Sequence, residues 1–117
     1  MTLVIAAMPA YNEVHVIADV IQGCKKYVDR VIVVDDCSSD NTGEIAKSLG
    51  ADVVRHETNK GYGAAIKSCF RLAREINADS MVIIDSDGQH DPSEIPKLLE
   101  PLKNGFDMVI GSRFVNG

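Results

Sequence analysis

At 117 residues the chain is long enough for one domain with a real core, and 45% apolar with 25% charged residues is ordinary for a soluble globular protein. A net charge of −5 argues against a nucleic-acid binder working through bulk electrostatics, although a metal ion could still bring positive charge to a phosphorylated ligand. Cys24, Cys37 and Cys69 are scattered and form no CxxC, so they read as small buried hydrophobes in a reducing compartment, expected to be the cytoplasm, and not as a disulfide frame or zinc site. The apolar run Leu3–Met8 is too short for a membrane span or a signal core, and no other stretch spans a bilayer.

In chain order, apolar runs alternate with helical periodicity. Leu3–Met8 predicts a strand covered on both faces, because it lacks polar alternation, and Pro9 is expected to end it. Val14 to about Tyr27 predicts a helix with Ile17, Val20, Ile21, Cys24 and Val28 on one stripe. Val31–Val34 is a second buried strand. Asn41 with Glu44 reads as a cap-like pair opening a helix that Gly50 stops, and Asp52–Arg55 is a shorter strand nearer an edge. A further helix follows Gly63 and runs to about Ile76, with Ile66, Cys69, Phe70, Ala73 and Ile76 inward. Met81–Ile84 is the fourth strand. Asp91, Pro92 and Glu94 then signal a helix start, and Met108–Ile110 is a fifth strand. Strands joined by crossover helices make an α/β fold, a mostly parallel twisted sheet with helices on both faces.

The polar residues are unevenly placed along this pattern. Each strand runs at its carboxyl end into a loop rich in Gly, Asp, Asn, Ser or Arg: Pro9–Glu13, Asp35–Asp40, Asn59–Gly63, Asp85–His90 and Gly111–Arg113. The loops before the strands are plainer. In a parallel sheet all carboxyl ends share one edge, so these five loops should gather around one ligand crevice. Within them, Asp85, Asp87 and Gln89 alternate, and an extended segment can aim their oxygens to one side. Such a set suits a hard divalent cation, Mg²⁺ or Mn²⁺; the plainer alternative is a solvated acidic turn capping the next helix. Asp35 and Asp36 are acceptors suited to the N–H or O–H groups of a base or ribose, or else cap the following helix, with Asp40 the more structural of the three. Gly61 and Gly63 allow close backbone approach at a helix start, where an anion is favoured. Arg113 can neutralise a phosphate or pair with a carboxylate. His15 reads as a helix-surface residue and His56 as a loop residue, leaving His90 the one histidine candidate.

Five segments in order, Pro9–Glu13, Val34–Thr42, Asn59–Ala65, Asp85–Pro92 and Gly111–Arg113, resemble the family 2 glycosyltransferases of GT-A fold, and most of all their dolichol- and polyprenyl-phosphate mannosyl- or glucosyltransferase branch. The resemblance implies a Rossmann-like nucleotide-sugar-binding half. It implies that Pro9, Ala10, Tyr11, Asn12, Glu13, Asp35, Asp36, Gly61, Gly63, Asp85, Ser86, Asp87 and Arg113 surround a UDP- or GDP-sugar donor. Asp85, Asp87 and Gln89 would hold Mg²⁺ or Mn²⁺ on its diphosphate, with Arg113 facing a phosphate of donor or acceptor.

The expected chemistry is inverting transfer to a polyprenyl or dolichyl phosphate, or to a glycan hydroxyl. A lipid phosphate is already ionised and needs no strong base, and no catalytic base is assigned. Members of the family continue beyond the Gly-Ser-Arg motif, so residues 1–117 are expected to be the donor-binding domain, cut before the acceptor part. In a full-length protein it could associate with the cytoplasmic face of a membrane. Self-association through a sheet edge is a further expectation. Two other classes compete: a non-catalytic nucleotide-sugar-binding module, and a Mg²⁺-dependent phosphoryl-transfer domain. The second conflicts with Pro9–Glu13 after the first strand, where such domains place their key acidic residues.

Overall fold

A computed structural model describes residues 3–84 together with the strand Asp107–Ile110. The elements in order are β1 (Val4–Ala10), α1 (Ile17–Lys25), β2 (Arg30–Asp35), α2 (Thr42–Ser48), β3 (Asp52–Arg55), α3 (Tyr62–Glu75), β4 (Ser80–Ile83) and β5 (Asp107–Ile110). The strands form one sheet in the order β3-β2-β1-β4-β5, every pair parallel, with β3 at an edge as its short polar-ended sequence implied. The expected α/β class is therefore the one this chain adopts.

Period-2 alternation divides the strand side chains between two cores. Ala6, Met8, Val31, Val33, Val82 and Ile84 pack with Ile17, Val20, Ile21 and Cys24 of α1 and Ala46 of α2. Ile5, Ala7, Ile32, Val34, Met81 and Ile83 pack on the other face with Ala65, Cys69 and Ala73 of α3. Both faces are covered, which is why the central strands read as unbroken apolar runs. The chain steps outward from β1 to β2 and β3, then returns to β4 on the other side of β1. Strand order thus reverses between β1 and β4, the place where open α/β sheets hold ligands.

Three local expectations are corrected. Pro9 does not end β1, which continues through it to Ala10. Alternate residues of a parallel strand turn their backbone groups to opposite neighbours. Ala7 O accepts Ile84 N at 3.0 Å, so Pro9, two residues on, faces β4 beyond the last described pair, Ala7 with Ile83. Its missing N–H costs the described ladder nothing. The first helix opens at Ile17 instead of Val14, because Glu13 O closes a turn by accepting both Val16 N and Ile17 N. Asn41 makes no side-chain cap for α2; the Asp40 carboxylate takes Thr42 N at 3.0 Å and bonds its hydroxyl as well. An Asx turn two residues ahead of the helix outcompetes the expected capping pair. The helix expected after Pro92 lies outside the described residues.

At the amino edge, polar residues have a purely architectural use. Asp79 accepts Leu3 N and Asp29 accepts Val4 N, while their own N–H groups return to Leu3 O and Val4 O. Each aspartate just before β2 and β4 thereby pins the start of β1.

The cysteines are free. Burial pushes the thiols of Cys24 and Cys69 up to about 12, so each is nearly all protonated at neutral pH. A thiol-reactive disulfide reagent should therefore label only the partly exposed Cys37 promptly in the native protein, and all three thiols in denaturant. Prompt labelling of Cys24 or Cys69 without denaturant would contradict the packing of α1 and α3.

Candidate functional site

The loops leaving β1, β2 and β3 are tied into one rim. Asp36 N donates to Ala10 O at 2.8 Å, extending the β1–β2 ladder past its end. Asn12, in a left-handed turn at φ 53°, donates its N–H to Ser38 Oγ at 2.9 Å and accepts Ser39 N on Oδ1 at 2.8 Å. Glu13 N donates to Thr42 Oγ1 at 2.9 Å, and Val14 N to Asp40 at 3.4 Å. Burial pushes the Asp40 carboxyl up, but bonds from Thr42 and Val14 outweigh it and hold the group below its ordinary range. Cys37 at φ 64° turns the chain so that Ser38 N returns to Asp35 Oδ1 at 2.9 Å. A loop pinned at this many points presents its remaining side chains in fixed positions, the condition for a preorganised site.

The strongest knot is Asp36, only 5% exposed. Its Oδ1 accepts Lys60 N at 2.8 Å and faces His56 Nδ1 at 2.7 Å; its Oδ2 accepts Gly61 N at 2.8 Å. Gly61 stands at φ 95°, where a β-carbon would be strained, and this conformation aims its N–H at the carboxylate. A carboxylate is acceptor-only, so His56 Nδ1 carries the donated proton; in the neutral ring Nε2 then accepts from Ser68 Oγ, 2.9 Å away. Burial pushes the Asp36 carboxyl up, but bonds from Lys60, His56 and Gly61 outweigh it, leaving the group below the usual aspartate range. Asp36 thus anchors the glycine turn, and His56 and Ser68 anchor Asp36.

The sequence-predicted residues divide accordingly. Tyr11, 47% exposed, stands on the braced loop after β1, and Tyr62, 46% exposed, at the start of α3. Asp35 has no exposed surface, and its oxygens face Ser38 N and Arg55, which is a structural use. Ala10 is likewise buried, and the Asn12 side chain serves the two loops it joins. His56, read from sequence as a loop residue, is 7% exposed and central to the rim. Its signal was position, the first residue past β3 at the carboxyl edge, on the same face as Val54. Asp85, Ser86, Asp87, Gln89, His90 and Arg113 lie outside the described residues. The segment that contains Asp85–Gln89 follows directly on Ile84, whose N–H is bonded to β1.

An open parallel sheet with helices on both faces and polar loops braced at its carboxyl edge is a Rossmann-like α/β fold. Residues 5–117 match glycosyl transferase family 2, and the chain belongs to that family. It is 35% identical to the UDP-N-acetylglucosamine–dolichyl-phosphate N-acetylglucosaminyltransferase of Methanococcus voltae, over 97% of this chain and 53% of that protein. It is 36% identical to the dolichol-phosphate mannosyltransferase of Pyrococcus furiosus, over 94% of this chain and 33% of that one. Among solved structures, glucosyl-3-phosphoglycerate synthase from Mycobacterium tuberculosis, in complex with Mn²⁺, UDP and glucosyl-3-phosphoglycerate, superposes with a TM-score of 0.73. The identity there is 32%, covering 89% of this chain and 40% of that one. These neighbours are enzymes of GT-A fold. The chain spans about half or less of the length of such relatives. Among the described residues no helix is long and apolar enough to cross a membrane.

Proposed function

We propose that this chain binds a nucleoside diphospho-sugar, UDP- or GDP-linked, in the crevice between the loops after β1, β2 and β4, and serves inverting glycosyl transfer to a polyprenyl or dolichyl phosphate or a glycan hydroxyl. The observation that carries this is topological. The reversal of strand order sets β4 beside β1, with Ile84 N bonded to Ala7 O, and the sequence runs on from Ile84 into Asp85-Ser86-Asp87-Gly88-Gln89, which supports a donor site shared with the loop that holds Tyr11 and Glu13. Tyr11 offers an exposed ring for a nucleobase, and Asp36 holds the glycine turn whose backbone borders the crevice. Pro9, Glu13 and Asp36 complete the nucleotide wall, and Arg113 faces a phosphate.

Two carboxylates and an amide oxygen at Asp85, Asp87 and Gln89 are a donor set that fits Mg²⁺ or Mn²⁺. Such an ion, when bound, stabilises the charge that the leaving diphosphate gains. The lipid-phosphate acceptor is supported by the names of the Methanococcus and Pyrococcus relatives, and Mn²⁺ with UDP by the Mycobacterium structure. The free thiols fit work in the cytoplasm.

Calorimetry with UDP-glucose, UDP-N-acetylglucosamine and GDP-mannose is expected to show binding that needs Mn²⁺ or Mg²⁺ and weakens about tenfold or more in Asp87→Ala. Equal affinity in chelator, or in that variant, would overturn the metal assignment.

A further inference from the structure

Helix α3 packs over β1 and β2, and a gap lies between α3 and the edge strand β3. The gap is a cavity of about 630 Å³. Its walls carry Arg55 from β3, Lys60 from the glycine turn, and Lys67 and Arg71 one helical turn apart on α3. Its floor is Val54 with the buried His56 and Ser68. Among the described residues four cations thus line one concave space together with one carboxylate, Glu57, in a chain whose net charge is −5. Arg55 is engaged with Ser38 O at 2.9 Å and Asp35 at 3.4 Å, and Arg71 meets Glu75 only at 3.9 Å on an exposed surface. Lys60 and Lys67 have no side-chain hydrogen bond or ion pair among the described residues. Like charges gathered with only partial counter-charge repel one another, and a bound anion lowers that cost.

We propose that the β3–α3 groove is an anion site for a phosphate monoester, separate from the nucleotide crevice. Its volume is that of a small-ligand pocket. Lys60 and Lys67 supply point charges and Arg71 a guanidinium fork matched to phosphate oxygens, with the Thr58 and Ser68 hydroxyls within the same lining. Two sources present this chemistry, a soluble phosphorylated metabolite and the headgroup of an acidic phospholipid. The two sites adjoin at the Asp36 network, since Lys60 and His56 line this groove as well, but Arg55, Lys67 and Arg71 belong to the groove alone, so substitutions at Lys67 and Arg71 test it apart from the donor reading.

The test is an amide NMR titration with inorganic phosphate in EDTA, matched in ionic strength by chloride, alongside co-sedimentation with phosphatidylcholine vesicles with and without phosphatidic acid. Saturable shifts are expected at residues 55–58 and 64–71, weakened about tenfold or more in K67E/R71E and several-fold in K67Q/R71Q. All three proteins should bind UDP equally with Mn²⁺, which shows the folding of the variants and separates this site from the crevice. Phosphatidic acid-dependent sedimentation lost in K67E/R71E would support the site and make a headgroup its source; phosphate shifts without sedimentation would support it with a soluble ester. Neither shifts nor sedimentation, or either one unchanged in K67E/R71E, would overturn it.

Discussion

Replacing Asp36 by alanine is expected to cost the fold about 3 kcal/mol and to weaken UDP binding about tenfold or more. The carboxylate satisfies three donors at once, Lys60 N, Gly61 N and His56 Nδ1, all within 2.8 Å. With Asp36 5% and His56 7% exposed, water cannot replace it without opening the loop. Removing one partner of a buried charge-assisted bond costs more than the bond itself contributes, because its donors stay desolvated and unpaired. Asp36→Asn separates the effects. Its Oδ1 can still serve Lys60 and His56, but its NH₂ must face the Gly61 N–H, so about half the loss is expected. Urea unfolding of the three proteins measures this. A midpoint for Asp36→Ala equal to that of the wild type would show that the glycine turn holds itself.

The same network sets a pH dependence. Asp36 and Asp40 both titrate below their ordinary range in the folded chain. A carboxyl with a lowered folded value contributes stability that is present above its unfolded value, about 3.9, and is lost as pH falls through the folded value. Urea midpoints should therefore be flat near neutrality and fall below about pH 4, with a shallower fall in Asp36→Ala.

Much of this domain is written in its apolar runs. Parallel strands buried on both faces have no polar alternation to blur them, so Val31–Val34 and Met81–Ile84 stand out, and the crowding of Asp and Gly after each run points to the carboxyl edge. What sequence could not supply was which polar group meets which. The partners of His56 are 20 residues before it and 12 after it, and nothing local announces them. Adjacent Asp35 and Asp36 look alike in sequence, yet strand alternation sends them to opposite faces. Asp35 follows Val33 toward the helices α1 and α2, while Asp36 turns to the glycine loop. Pro9 misled for a comparable reason: whether a missing N–H matters depends on which neighbouring strand it faces and how far that strand extends.

The buried fate of Asp35 leads to a second large effect, at Gly43. A β-carbon there would stand 2.6 Å from Asp35 Oδ2 and 3.5 Å from its Cγ. Asp35 has no exposed surface, and Ser38 N at 2.9 Å and Arg55 at 3.4 Å hold it in place. The bare glycine is what lets a carboxylate press against the first turn of α2, where the exposed N–H ends favour negative charge. In Gly43→Ala the carboxylate must swing away and abandon Ser38, a cost of about 3 kcal/mol that the better helix propensity of alanine offsets by up to about 1 kcal/mol. A net loss of about 2 kcal/mol is expected. The cause is then isolated by a double-mutant cycle. In an Asp35→Ala background the clash is absent, and Gly43→Ala should become neutral or stabilising by up to about 1 kcal/mol. Equal losses in both backgrounds would mean that the glycine is required by something other than the aspartate packed against it.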